Sequence, residues 1–193
     1  MIYILLSILS STFIFIVFKL LGTYKINTSK AIVINYVSAC LFGIMTTSKT
    51  IIIDQIVNEK WFYGAIVLGI MFIVIFNVMA KTAQKNGLSV ASVATKMSVV
   101  IPIVFGILLY NEILNLILVI GILLALVAVY LTSSKSNTVS NLKQNLTLPI
   151  ILFIGSGFID TAIKFLQSTY MAKDDISIFS SSIFFFAAII GIF

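Results

Sequence analysis

The sequence predicts an all-α, polytopic membrane helix bundle of about seven transmembrane helices. Three observations carry that reading. Of the 193 residues, 61% are hydrophobic and only 9% are charged, whereas soluble domains carry about 25% charged residues. A fold of this size cannot hide so much apolar side chain, so its solvent is lipid. The apolar residues also fall into runs of the length, about 20 residues, that crosses a hydrocarbon core. Finally, the charged side chains gather in the short stretches between those runs.

Each run has its own justification. Span one runs from Met1 to about Leu21, with Lys19 close enough to its end to reach the interface. No basic leader or small-residue cleavage site accompanies it, so it is expected to stay as a span. Span two, about Ala31 to Thr47, carries Asn35, Tyr36 and Ser38. The stretch Ser48 to Lys60 mixes charges and reads as a loop. Span three opens on Trp61-Phe62-Tyr63, an aromatic cluster suited to headgroup level, and ends near Ala80 with Asn77 in its last turns. Lys81 to Gly87 reads as a linker. Span four, Leu88 to Tyr110, holds Lys96 and Pro102. Span five, Ile113 to Leu131, has no charge, and the pair meets at Tyr110-Asn111-Glu112. Glu112 suits a helix start, where the dipole favours an acid. A polar linker at 134–145 leads to span six, Leu146 to about Ser168, and span seven begins near Ile176.

An internal match suggests a repeat. Shifting span one by 145 positions lays Ile8–Thr23 on Phe153–Ser168 without a gap. Ser11 meets Ser156, Phe13 meets Phe158, Ile14 meets Ile159, Lys19 meets Lys164 and Leu21 meets Leu166. A five-span unit, 1–133, repeated from 146 to 193 would enter the membrane from the opposite side, because five is odd. That is the inverted repeat of many transporters. On this reading the second copy is truncated and lacks about three spans.

Polar residues inside the spans are the candidate solute-binding set. Ser89, Ser92 and Lys96 share one helical face. Lys96 costs roughly 2.5–3.5 kcal/mol to insert, so it either meets a carboxylate or phosphate of a solute or reaches back to the interface. Pro102 frees a carbonyl near Ser98 and is expected to kink the helix as a hinge. Asp160 and Lys164 stand one turn apart and can pair, either in a cavity wall or only to ease insertion. Asn35 and Asn77 complete the set, with interhelical hydrogen bonding as their commoner use.

Other chemistries find little support. No phosphate-cradling glycine loop, nucleophile elbow or metal-ligand cluster is visible, and histidine is absent. No cofactor, metal or enzymatic activity is expected. The net charge of +6 comes from twelve lysines placed mostly between spans, which suits anionic headgroups and not nucleic acid. Cys40 is the one cysteine and reads as a buried small hydrophobe. The absence of arginine points weakly to an AT-rich bacterial genome, and hence to a bacterial inner membrane.

The stretch Asn86–Ser133 resembles the end of the repeat in the EamA-like family of the drug/metabolite transporter superfamily. The residues that carry the likeness are Ser89-Val90-Ala91-Ser92, Pro102, Glu112 and Gly121. The resemblance implies a ten-span, two-repeat exporter with a central cavity, and it assigns no solute. Lysine counting places the N-terminus outside, because Lys19, Lys25, Lys30, Lys81, Lys85, Lys135 and Lys143 share one side with no acid. The family generally keeps it in the cytoplasm.

The sequence therefore points to a secondary transporter of small metabolites or amino acids. Its expected partners are the lipid bilayer and an anionic or zwitterionic solute, with a coupling proton and a second copy of the chain as further candidates. The rivals are a seven-helix receptor and a non-transporting assembly subunit. A retinal receptor would need a lysine in span seven, and Ile176–Phe193 has none.

Overall fold

A computed structural model of the chain describes residues 2–47, 53–110, 116–134, 142–171 and 175–192. These residues form helices α1 (Ile2–Thr23), α2 (Thr28–Thr46), α3 (Ile53–Asn58), α4 (Phe62–Lys85), α5 (Leu88–Met97), α6 (Val100–Tyr110), α7 (Leu116–Ser134), α8 (Leu142–Tyr170) and α9 (Ile176–Ile192). No strand occurs among them. Among the described residues, five stretches are long and apolar enough to cross a membrane: Leu5–Thr23, Thr28–Thr46, Phe62–Lys85, Leu88–Ile107 and Leu146–Tyr170. Ile176–Ile192 is a shorter apolar helix. Large apolar side chains stand exposed along the helices, among them Phe13, Phe42, Leu123 and Ile154, as expected where the solvent is lipid. Glu112 lies outside the described residues, and so do Lys49, Lys135 and Lys173.

Three boundaries differ from the sequence expectation, each for a physical reason. The mixed-charge loop contains a short helix, α3, whose Asn58 Nδ2 donates to the Asp54 carbonyl at 2.7 Å. Lys81–Lys85 are part of α4 and not linker. They contain no glycine or proline, and lysine and glutamine are good helix formers. The helix stops at Asn86-Gly87, where both N–H groups return to the Thr82 carbonyl, at 2.8 and 3.2 Å. Gly87 takes φ 105°, ψ 159°, a backbone region that is essentially glycine's own. Likewise α8 begins at Leu142, inside the expected polar linker, and carries Pro149 within it.

The end of α1 is capped by the main chain. Ile26 N–H bonds the Leu21 carbonyl at 2.9 Å and Lys25 N–H bonds the Gly22 carbonyl at 3.2 Å. That pairing defines a Schellman motif. Its left-handed position is taken by Lys25, at φ 55°, where glycine is the usual choice.

The chain forms two compact units. The first contains residues 1–28 and 78–158. Within it α1 and α7 both pack against α5. Its core uses small side chains: Ala80, Ala83, Ala91 and Ala94 are wholly buried, beside Phe15, Phe18 and Leu152. Small residues let helix backbones approach closely in a bilayer. The second unit contains residues 29–77 and 159–193, and its core is aromatic. Tyr36 stacks on Phe184 at 5.8 Å and meets Phe76 edge-on at 5.5 Å. Its hydroxyl donates to the Phe72 carbonyl at 3.0 Å. In the Trp61-Phe62-Tyr63 cluster, Trp61 turns inward onto Phe179 at 5.5 Å, while Tyr63 stays exposed.

Candidate solute-binding site

Span four is broken. It is written as one apolar run, yet α5 ends at Met97 and α6 begins at Val100. Pro102 has no N–H, so the Ser98 carbonyl loses its usual partner four residues on. The Ile101 N–H takes that carbonyl instead, at 2.9 Å, and Ile103 N–H reaches Val99 at 3.3 Å. Ser98 is fully buried, and its hydroxyl donates to the Thr95 carbonyl at 2.6 Å. The expected kink at Pro102 is thus a break one turn upstream of it, and Pro102 itself is buried in the first turn of α6.

The break has a seat. A Cβ on Gly157 of α8 would lie 2.8 Å from the Ser98 carbonyl oxygen and 2.6 Å from Ile101 Cβ. Only glycine leaves room for the two backbones to meet there. Its neighbour Ser156 is buried with its hydroxyl unpaired.

Lys96 lies in the last turn of α5 and is exposed, as is Ser89, while Ser92 is half-buried. A cation there faces the negative end of the α5 dipole. Val100 opens the next helix and is buried, as is Ser98, while Val99 between them is exposed. The break therefore places an exposed lysine beside a tightened turn whose Ile101 and Ile103 N–H groups are already paired.

The remaining candidates lie in the second unit. Asn77 is committed to structure: Ser29 Oγ donates to its Oδ1 at 2.7 Å, and its Nδ2 donates to the Ile73 carbonyl at 2.8 Å. It ties the start of α2 to α4. Asn35 is exposed on α2, and Asp160 and Lys164 are exposed one turn apart on α8. Among the described residues, no three cysteine, aspartate or glutamate side chains converge to hold a metal ion.

Sequence reasoning missed Gln84, which it placed in a linker. Gln84 Nε2 donates to the Phe18 carbonyl and to Thr28 Oγ1, each at 3.0 Å. It lies over Gly22, where a Cβ would come within 2.7 Å of its Cγ. The available signal was an uncharged amide with a glycine on the facing span, a polar tie of the kind membrane helices use.

The EamA-like transporter family matches residues 1–134. This covers α1 to α7, including the broken span and its lysine. The chain belongs to the EamA-like transporter family. It is accordingly a multi-pass membrane transporter of the drug/metabolite type, whose partners are a bilayer and a small solute. No curated protein and no solved structure matches the chain.

Proposed function

We propose that the protein is a secondary transporter, of exporter type, that moves small metabolites or amino acids by alternating access. The single observation that carries the solute assignment is the break in span four beside Lys96. Transporters commonly bind solutes at discontinuous helices, where a half-helix N-terminus faces an anionic group. Here Lys96 supplies the cation, and the tightened turn between α5 and α6 is the discontinuity beside it. A carboxylate or phosphate of an anionic or zwitterionic solute is the group they suit. Ser89 and Ser92, on the Lys96 face, extend the contact surface toward the start of α5. The offset match of spans one and six supports two inverted halves as the moving parts. Asp160 and Lys164 belong to the second half on this reading, where Asp160 is the natural carrier of a coupling proton.

Proteoliposomes containing the full chain, preloaded with labelled amino acids and organic acids, test this directly. Efflux of at least one anionic or zwitterionic solute is expected. Lys96→Ala should reduce it at least tenfold, the equivalent of about 1.4 kcal/mol, and Lys96→Arg should restore part of it. Efflux unchanged by Lys96→Ala would remove the lysine from the mechanism.

A further inference from the structure

In the second unit, α2, α3, α4 and α9 enclose a cavity of about 450 Å3. Hydrocarbon forms its wall: Ile44 from α2, Val57 from α3, Phe62 from α4, and Ile178 and Phe185 from α9. Three hydroxyl side chains also line it, and they lend it little polarity. Ser181 and Ser182 donate to the carbonyls of Ser177 and Ile178, each at 2.8 Å. The Thr47 oxygen is buried without a hydrogen-bond partner. Among the described residues that line it, none is charged.

Pockets that select a small molecule combine an apolar wall with a few convergent polar groups that orient the ligand. This cavity has the wall without those groups. Its rim residues Ile44, Val57 and Phe185 are 43%, 45% and 51% exposed. On α2 and α9 they continue into Leu41, Met45, Ile189 and Ile192, which are also exposed. The mouth is thus continuous with the surface these helices offer to lipid. On the other side of α3, Asp54 and Asn58 line a separate polar cleft with Lys60 and Tyr170. The short helix divides a wet compartment from a greasy one.

We propose that this cavity holds an acyl chain of a bilayer lipid. The chain enters from the surrounding membrane between α2 and α9 and fills the space beneath α3. Burying a methylene gains much against water but little against other lipid tails. The selectivity is therefore for shape and hydrocarbon character, and not for a headgroup. This site is separate from the break in span four and stands without it.

The test uses the full chain in phosphatidylcholine nanodiscs doped with a phosphatidylcholine that carries a diazirine on one acyl chain. After photolysis, adducts are mapped by peptide mass spectrometry. Adducts on Ile44, Ile178 and Phe185 should exceed, several-fold, those on Leu123 and Leu124 of α7, which are openly exposed. Ser182→Phe, which fills the cavity, should bring them down to the α7 level. Cys40→Phe fills it from α2 and serves the same purpose if Ser182→Phe fails to fold. Equal labelling of cavity and α7, or labelling unchanged in a folded filled variant, overturns the proposal. A small free aryl diazirine is run in parallel. If it labels the cavity while the lipid probe does not, the occupant is a free apolar solute and the proposal fails. If neither labels it above α7, protein covers it and the proposal fails as well.

Discussion

The two compact units share one packing device, and the second adds another. Lipid offers no hydrophobic gain when helices associate, so cohesion must come from close packing and hydrogen bonds. The first unit gains it with small residues. Alanines at 80, 83, 91 and 94 are wholly buried, and Gly157 lies against main chain at the break in span four. The second unit buries Ala65 and Ala187 in the same way, with Gly69 against the α9 main chain, and adds rings. Tyr36, Phe72, Phe76 and Phe184 interlock, and Trp61 closes on Phe179. Interlocked rings permit one arrangement. The first unit has no such ring cluster at its seam, where Gly157 meets the turn at Ser98.

Substitutions can break or sharpen that contrast, and the largest effect is expected in the ring-rich unit. Tyr36→Ala should destabilise the protein by about 3–5 kcal/mol, the usual cost of removing a large buried ring. Unfolding in mild detergent, followed by tryptophan fluorescence, reads it, since Trp61 lies in the same unit. Gly157→Val should cost about 1–3 kcal/mol through overpacking against Ser98 and Ile101. Its effect on solute efflux should be larger than that stability loss implies, because it wedges the seam. If efflux survives with the stability loss alone, the seam does not move. Tyr36→Phe removes one hydrogen bond to the Phe72 carbonyl and should cost only about 0.6 kcal/mol, the average for such bonds between membrane helices. The smallest change is a gain. Lys25→Gly relieves a left-handed lysine at the α1 cap and should stabilise by up to about 1 kcal/mol, measured as a raised midpoint of thermal unfolding.

The same contrast explains what was legible in the sequence. The apolar runs announced the spans, because about 20 residues of Val, Ile, Leu and Phe have no other stable place. Pro102 announced the disturbance in span four and its place, because the freed carbonyl lies four residues before the proline, at Ser98, where Ile101 reclaims it locally. Lys81 and Lys85 were misread because charge marks the edge of the hydrocarbon and not the end of a helix, and α4 simply continues into the headgroup region. The α3 sequence IDQIVN is too short for periodicity to show. Gln84 stood out only as an uncharged amide, and the uses of Gln84 and Gly157 were hidden for a deeper reason. Their importance comes from which backbone they face, and a single residue carries no record of its distant neighbour. Asn77 was visible as polar, but its structural use with Ser29 required a partner 48 positions away.

The most direct test of the account is whether the face carrying Lys96 meets solute and water or meets lipid. A single cysteine at Ser92→Cys, in a Cys40→Ala background, is reconstituted in vesicles and exposed to a charged, membrane-impermeant thiosulfonate. Modification should proceed, and the solute that wild-type vesicles release should slow it. An inert Ser92→Cys, in protein that still transports, would place that face against lipid and contradict the assignment of the broken span as the solute site.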